Sequence, residues 1–538
     1  MSARPSDREP GQRLVLGALL GLAFLLGCFP MGDFDVWWHL RAGQLILEQG
    51  AVPRTDLFTY TNADRPWIDL YWLFQIGLAL AYRAGGASLL VLLKAACGVA
   101  IVGLSLLGRR RDARAWPAVL AWLPAVVLLS GRLCERPELV SLLLLSGFLA
   151  VLGGAAERPR LLWLLPVMQL VWVNCHGFFV LGPLLLAAYA AEAIYRRLRP
   201  LPADRPRPGL GLLALVCAAT LLACAASPYG LGAARLPLEQ WGKLGAGVYR
   251  TSIGELKTIG DFIAQAGINN PYLLGNAVVL GLGLASFGLL ARRRQVVPFR
   301  ALVFVAAAYL GWQATRNSSL FAVVAAFVTM GNLDDLARAA PAPAADASRK
   351  RSRSRSVTPR RRRNPNVVLL AAIAALAVAV LSGALYAWAG EGRRVGLGER
   401  RDWYAHEACA FLARPGLPEL IVAYNLGQAA VCIAHTAPLR KQFMDPRLEV
   451  NRQETFERYL AGMHKLWLGE PGWEVPLGID YSRPAELPAL LIERGPLHRA
   501  ADNLARDARW RRVFADRVAT VFVPTEIALA QGLPEVAR

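Results

Sequence analysis

The sequence is poor in the residues that build disulfide-rich or metal-binding domains. Its 538 residues include only eight cysteines and six histidines. There is no CxxC or other zinc spacing, and no GxGxxG or GxxxxGK(S/T) nucleotide loop. Six of the cysteines lie in or beside apolar runs, where a thiol behaves as a small apolar side chain. Cys409 and Cys432 remain, and they could form one disulfide if the C-terminal region lies outside the cytosol.

Acidic residues are also scarce. There are 39 Asp and Glu against 60 Lys and Arg, which gives a net charge of +21. Such an excess of positive charge could indicate a nucleic-acid partner. The location of the basic residues along the chain decides whether it does. The chain is 55% hydrophobic, with a mean hydropathy of +0.35, which predicts a polytopic membrane protein. Nearly all the basic residues are Arg, which favours a GC-rich, bacterial genome.

Eleven apolar runs are each about long enough to cross a hydrocarbon core of roughly 30 Å. The first has no small-residue cleavage site and is followed by further runs, so we interpret it as a retained anchor. The sequence therefore predicts a mainly α, polytopic helical membrane protein with about 11 transmembrane helices. The predicted spans are 13–31, 87–107, 116–131, 138–155, 160–174, 177–194, 209–226, 271–290, 299–315, 318–333 and 366–389.

The basic residues indicate how these spans are oriented. If all eleven cross, the Arg-rich loops and the N-terminus fall on one side, with 28 Lys and Arg against 8 Asp and Glu. The positive-inside rule assigns that side to the cytosol. The charge is therefore a topology signal, and no nucleic-acid partner is expected. The tract 348–363 resembles a nuclear-localisation or RNA-binding segment, but we interpret it as a cytosolic linker, with anionic lipid headgroups as a further possible contact.

This orientation divides the chain into predicted regions and places most boundary polar residues on the outer face. Ionisable groups at a membrane boundary are costly unless they pair or line a wet cavity, so they are candidates for a functional site. The regions are a transmembrane domain at 1–333 with outer loops 32–86 and 228–270, a basic cytosolic linker at 334–365, a last span at 366–389, and a small extracytoplasmic α/β domain at 390–538.

The first outer loop opens on the polar stretch MGDFDVWWHLRAG. A helix is predicted from about Val36, lying on the bilayer with Trp37 and Trp38 at headgroup depth. Asp35 could simply cap this helix. Capping does not explain Asp33 or the further acids of the loop. Both a capping role and an active-site role therefore remain open for Asp35, and the two can coexist.

Other candidates lie in the remaining outer segments, each with a plain structural alternative. His176 could merely end a span, Arg132 could balance Glu135, and Glu255 could be a solvated loop residue. Arg136 could simply be the residue that precedes a helix started by Pro137. Arg316 has no acidic neighbour in sequence, which favours contact with a headgroup or phosphate.

These residues carry a family resemblance. The stretches DFDVWWHLRAGQLILEQGAVPRTDLFTYT and PWIDLYWLFQIGLALAYRAGG resemble bacterial members of the GT-C glycosyltransferase superfamily. That group includes protein mannosyltransferase-like, aminoarabinose transferase-like and RgtA/B/C/D-like proteins. The stretches WVNCHGFFVLGPLLLAAYA, ASPYG and RNSSLF fit the same pattern, so the likeness covers roughly residues 12–333. No Trp-Trp-Asp acceptor motif occurs. The loop around Glu255 reads IGELKTI, whereas related proteins tend to have Glu-Trp there.

The resemblance implies an enzyme of the bacterial inner membrane that moves a sugar from a polyprenyl-phosphate-linked donor to a glycan, lipid or protein acceptor on the outer face. It implies that Asp35 acts as base or as ligand of a divalent cation (Mg or Mn), with Asp33 in support. The chemistry also needs positive charge on the departing phosphate, from arginine or a divalent ion. The substrate-binding residues expected are His39, Arg136, His176, Glu255 and Arg316.

Two other classes of protein stay open. A transporter or flippase places charge or broken helices at mid-membrane in two similar halves, whereas here the charge lies at one boundary and no repeat is found. A non-catalytic membrane scaffold could keep the architecture without the activity.

Overall fold

The structure is a computed structural model. It describes residues 10–63, 65–109, 113–199, 208–244, 247–338, 365–495 and 498–536. The basic tract 348–363 and most of the predicted linker lie outside this part of the chain.

Helices dominate the first 390 residues. Their ends follow local signals: Asn270 caps the helix that Pro271 begins, and Thr258 with Asp261 forms a capping box. Four short 3-10 helices lie at Pro159–Trp163, Gly177–Val180, Gly254–Leu256 and Thr315–Asn317. The α-helices are α1 (Pro10–Gly27), α2 (Asp35–Gln49), α3 (Trp72–Leu107), α4 (Ala115–Ser130), α5 (Glu138–Gly154), α6 (Leu164–Val173), α7 (Leu181–Leu198), α8 (Leu210–Ala223), α9 (Leu231–Leu244), α10 (Gly247–Ser252), α11 (Ile259–Ala266), α12 (Pro271–Arg292), α13 (Pro298–Gln313), α14 (Ser318–Arg338), α15 (Pro365–Leu381) and α16 (Ala384–Trp388).

Four of the described helical segments are long and apolar enough to cross a membrane: Trp72–Leu107, Gly177–Leu198, Pro271–Arg292 and Thr315–Arg338. Six shorter apolar helices accompany them. Such helices are those of a membrane protein. The count of eleven spans stays a prediction. Helix α3 contains a break at Gly85 and Gly86, where Gly86 has a φ of 60°, so its first part is separate from its apolar second part.

The bundle packs around α14. This helix contacts α4, α5, α12 and α13, and most of its side chains are buried. Helix α1 packs against α3, α4 and α15. Because α5 begins after the turn 131–137 and α14 after the turn 314–317, and both run through the bundle, they link its two ends.

The C-terminal region forms a five-stranded sheet with helices packed on it. The strand order is β2-β1-β3-β5-β4, with β1 parallel to β2 and β3, and β5 antiparallel to β3 and β4. A disulfide joins Cys409 to Cys432 and so links α17 to α18. A 3-10 helix lies at Pro484–Glu486. The elements are α17 (His406–Leu412), β1 (Leu420–Ala423), α18 (Leu426–Thr436), β2 (Lys441–Gln442), α19 (Gln453–Leu468), α20 (Glu474–Leu477), β3 (Ala489–Glu493), α21 (His498–Leu504), β4 (Trp510–Ala515), β5 (Ala519–Pro524) and α22 (Thr525–Ala530).

Helix α2 lies between the bundle and the C-terminal domain, packed on α3 and α18. A side chain at Gly43 would meet the carbonyl oxygen of Gln75 at 2.1 Å, so only glycine allows this close approach to α3. Trp37 and Trp38 are each 4% exposed, Trp37 against Tyr404. The prediction that both tryptophans lie at headgroup depth is therefore wrong: the sheet domain, which periodicity within α2 does not reveal, covers the face assigned to lipid.

Candidate functional site

The start of α2 is capped by Asp33. Its Oδ1 accepts the backbone N–H of Asp35 at 2.9 Å, and no side chain caps the helix from position 34. The N-cap position is Phe34 and Asp35 is the first residue of the helix, so the capping alternative for Asp35 is wrong. Asp35 begins the helix with its carboxylate directed elsewhere, 24% exposed. An acid in the first turn also interacts favourably with the helix dipole.

One arginine gathers three carboxylates at this point. Arg136, in the turn before α5, contacts Asp33 Oδ2 through Nε at 2.6 Å and Asp35 Oδ2 through Nη2 at 3.3 Å. Its Nη1 donates to both oxygens of Glu255 at 3.2 Å. The site cluster, as we name Asp33, Asp35, Arg136 and Glu255, unites four of the predicted residues from three distant segments. All four side chains are between 9% and 37% exposed, so the cluster is open to solvent.

A second arginine extends the site cluster. Arg132 Nη1 lies 2.9 Å from Glu255 and its Nη2 lies 3.1 Å from Glu138 at the start of α5. The predicted balance of Arg132 with Glu135 is wrong, because Glu135 instead pairs with the buried Lys94 at 2.8 Å. Glu135 is the acid nearest to Arg132 in the sequence, but the turn directs its side chain toward Lys94 on α3.

Arg316 lies beside this group with an unused donor. Its Nε is buried without a hydrogen-bond partner in the described part of the chain. The neighbouring Thr315 is fixed to the Glu255 loop, with its N–H donating to Lys257 O at 2.9 Å and its hydroxyl to Glu255 O at 3.2 Å. An unpaired buried guanidinium N–H is costly unless a ligand or water accepts from it. Arg316 is therefore suited to an anion.

Two of the three carboxyl groups that contact Arg136 have pKa values shifted in opposite directions. Burial, reinforced by the negative charges of Asp33 and Glu255, raises the pKa of Asp35 to about 7 in spite of Arg136. Burial would also raise the pKa of Glu255, but Arg136 and Arg132 outweigh it and hold that pKa well below its usual range. Near neutral pH, Asp35 can therefore exchange a proton while Glu255 stays ionised.

His39 lies one turn along α2, 3% exposed. Its ring lies tilted by 31° against that of Trp38, with the ring centroids 3.5 Å apart, and its Nδ1 lies 3.3 Å from Gln75 Nε2. Gln75 also donates to Asp69 Oδ1 at 3.0 Å. Burial and then the charge of Arg136 lower the pKa of His39 well below its usual value, so the ring is neutral. Its predicted contact with substrate stays a prediction.

His176 follows α6 and approaches the site from the other side. Its Nδ1 lies 2.8 Å from Ser141 Oγ on α5. Burial lowers the pKa of His176 to about 4, with Arg316 contributing to the shift. The ring of Tyr71 stands between the two histidines, its centroid 5.2 Å from His39 and 5.9 Å from His176.

Three acids that were not selected from the sequence also belong to this region. Asp69 is fully buried, and its Oδ2 has no partner among the described residues. Glu449, from the loop after β2, is similar, with a buried and unpartnered Oε1. Burial raises the pKa of each of these two acids to about 7. Glu138 is the third, placed between Arg132 and Ser319 Oγ. Glu449 lies in the stretch MDPRLEV, which carries no recognisable motif. Only the fold places this residue near the site cluster.

A separate cluster joins the first loop to the C-terminal domain. Arg447 contacts both Asp56 and Asp445, with Nη2 2.6 Å from Asp445 Oδ2. Its guanidinium carbon lies 4.5 Å from the ring centroid of Trp67 and 4.6 Å from that of Phe58. All three charged side chains are 0% exposed. We call Asp56, Asp445 and Arg447 the buried clamp.

The carboxylates of the site cluster do not form a metal site. Among the described residues, no group of three or more His, Cys, Asp or Glu side chains is arranged to hold an ion. Arg136 occupies the position between Asp33, Asp35 and Glu255 that a cation would need, and Asp33 Oδ1 is engaged in capping. The predicted Mg or Mn ion therefore does not fit this arrangement.

Comparison with known proteins identifies the fold. No family model matches the sequence, and no curated protein matches it. Solved structures do match: the Archaeoglobus fulgidus oligosaccharyltransferase in its apo form has a TM-score of 0.54 at 13% identity, over 96% of this chain and 74% of that one. The same enzyme in complex with Zn and sulfate has a TM-score of 0.52 at 13% identity, over 97% and 74%. The chain thus shares the fold of this oligosaccharyltransferase, which agrees with the fold that its resemblance implied.

Proposed function

We propose that the protein is a membrane glycosyltransferase that moves a sugar from a polyprenyl-phosphate-linked donor to a glycan, lipid or protein acceptor. The observation that carries this proposal is the site cluster, in which Arg136 sets Asp35 beside two further acids at one end of the bundle. The GT-C fold, shared with an oligosaccharyltransferase, supports glycosyl transfer in general.

Asp35 is the proposed general base. The acceptor hydroxyl attacks the anomeric carbon of the sugar, a new C–O bond forms, and the bond from that carbon to the phosphate oxygen breaks. The hydroxyl proton passes to Asp35, whose pKa of about 7 matches such a base to neutral pH. Asp33 and Arg136 hold the carboxylate in place, so they are positioning residues.

Arg316 is the proposed phosphate ligand. Its buried, unpartnered Nε can donate to a phosphate oxygen as negative charge develops on the leaving group. Arg136 is less available, because three carboxylates already share its guanidinium. Sulfate, which has the tetrahedral shape of a phosphate group, is present in the archaeal oligosaccharyltransferase with Zn. No metal step is included here, because the carboxylates are bound to Arg136.

We place the protein in the bacterial inner membrane, with the N-terminus in the cytosol and the C-terminal domain outside. The Arg-rich ends of α3, α7, α12 and α14 support this orientation. The disulfide of the C-terminal domain supports it independently, because disulfides persist in oxidising compartments.

The test is a deletion strain complemented with the wild-type gene, with Asp35→Asn, or with Asp402→Asn. Asp402 is a matched control, an exposed acid of the C-terminal domain at a left-handed φ of 51° that asparagine tolerates. Mass spectrometry should show one glycan missing and its lipid-linked sugar accumulating in the deletion strain and with Asp35→Asn only. Restoration of the glycan by Asp35→Asn would overturn the assignment.

A further inference from the structure

A large cavity lies at the end of the bundle opposite the site cluster. Its volume is about 1330 Å³, and its walls come from the ends of α3, α5 and α14 with the starts of α6 and α13. The proposed function does not use this cavity. Neither Asp35 nor any other member of the site cluster lines it.

Two helices fix the separation between the cavity and the site cluster. Helix α5 begins at Glu138, beside Arg132, and ends at Gly154 in the cavity wall. Helix α14 begins next to Arg316 and ends at Arg338, also in the wall. At 1.5 Å per residue these helices are about 25 Å and about 31 Å long, close to the thickness of a hydrocarbon core. The cavity therefore lies at the opposite leaflet.

The inner walls of the cavity are apolar and face the bilayer. Leu143, Leu144 and Met168 line its depth. Two further wall residues, Leu161 and Leu164, are 36% and 47% exposed. Apolar side chains exposed at this depth of a membrane bundle face lipid tails, so an acyl chain can enter from the side.

The rim of the cavity is basic. Among the described rim residues, three arginines form ion pairs: Arg109 pairs with Asp334 at 2.6 Å, and Arg300 and Arg338 share Asp335. Arg114 and Arg158 also line the cavity, and neither forms an ion pair with a described carboxylate. The described lining also includes Glu157, so it carries five arginines against three acids and keeps a net positive charge above an apolar space.

We propose that this cavity binds an anionic phospholipid of the leaflet opposite the site cluster. The phosphate would lie between Arg114 and Arg158, and the acyl chains would fill the space along Leu143, Leu144 and Met168. A zwitterionic lipid offers the same chains without net charge, so the two free arginines select the anionic headgroup.

Gly154 provides a way to fill the cavity without disturbing the fold. It lines the cavity, and a side chain added there would meet no atom within 4 Å. The same holds for Gly288 on α12, which is exposed and does not line the cavity. Gly154→Leu and Gly288→Leu are therefore a matched pair.

The test is native mass spectrometry of the full-length protein in detergent, titrated separately with phosphatidylglycerol and phosphatidylcholine. The double variant Arg114→Gln/Arg158→Gln should bind phosphatidylglycerol about 25-fold more weakly than wild type, because each basic side chain contributes about five-fold. Its control is Arg13→Gln/Arg292→Gln, two exposed arginines at the same end of the bundle outside the cavity wall. Gly154→Leu should also weaken binding, whereas Gly288→Leu should not.

Equal weakening by the two double variants would overturn the proposal, because it would indicate only a general surface charge. Equal wild-type affinity for the two phospholipids would overturn it as well. A third titration uses polyprenyl phosphate: displacement of phosphatidylglycerol by this lipid at lower concentration would assign the cavity to a prenyl lipid instead. Melting temperatures confirm that every variant is folded.

Discussion

Two clusters of arginine and carboxylates lie near the first loop, and they differ in their access to water. In the site cluster, Arg136 binds three acids whose side chains are 9% to 37% exposed. In the buried clamp, Arg447 binds two acids and all three side chains are 0% exposed. On the proposed function, the same side-chain types serve chemistry in the partly exposed cluster and hold the C-terminal domain to the first loop in the buried one.

The largest effect is expected from Asp35→Asn. Loss of a general base lowers a rate by about 10²–10⁴-fold. The measurement is the consumption, by purified protein, of the lipid-linked sugar that accumulates in the deletion strain. Asp402→Asn is the control and should keep the wild-type rate. A rate within ten-fold of wild type for Asp35→Asn would remove Asp35 from the chemistry.

Arg447→Ala should mainly affect stability. It leaves Asp56 and Asp445 buried without a cation, which costs about 3–5 kcal/mol of unfolding free energy. Arg136→Ala should cost less than this, because the side chains of its partners are 9% to 37% exposed. Thermal unfolding of both variants in detergent compares them. Equal losses of stability would erase the distinction between the two clusters.

The pH dependence of the rate separates Asp35 from Glu255. Only the ionised form of Asp35 accepts a proton, so the rate should rise as the pH increases through about 7 and level off above it. Glu255 is ionised across this range, because Arg136 and Arg132 hold its pKa low. A rate that is flat between about pH 5 and pH 8 would contradict the assignment of Asp35 as base.

Glu449→Gln tests whether the C-terminal domain tunes the site. Burial is the main reason that the pKa of Asp35 is raised, and the negative charge of Glu449 adds to it. Its removal should shift the rise in rate to lower pH. Glu454→Gln, an exposed acid at the start of α19, should leave the profile unchanged. Coinciding profiles for the two variants would place Glu449 outside the site.

Chelation should have the smallest effect. Because Arg136 already bridges Asp33, Asp35 and Glu255, addition of EDTA is expected to leave the rate unchanged. Loss of activity that Mg²⁺ or Mn²⁺ restores would show that the three acids release Arg136 to bind an ion.

The sequence predicts the helical part of the molecule well, because each apolar run must form a helix to satisfy its backbone in lipid. A described helix lies at each predicted span, from α1 to α15. The members of the site cluster were among the candidates selected from the sequence, because Asp33, Asp35, Arg136 and Glu255 are polar residues in segments predicted to lie outside; their role stays a prediction. Their pairing could not be predicted, since residues 33, 136 and 255 meet only through the bundle.

The contribution of the C-terminal domain was the main feature missed. Trp37 and Trp38 form part of an amphipathic pattern that lipid and protein can cover equally well. Glu449 and the clamp residues Asp445 and Arg447 lie in a loop without a motif. Their roles depend on the docking of the sheet against the first loop, where Gln442 N–H donates to Phe58 O at 2.8 Å.

The most direct test of the central claim is the envelope glycan profile of a deletion strain that expresses either Asp35→Asn or Asp56→Asn. We predict that Asp35→Asn accumulates to the wild-type level of protein but leaves the glycan missing, whereas Asp56→Asn lowers the amount of protein and the glycan in proportion. A complete glycan with Asp35→Asn at the wild-type level of protein would contradict the account.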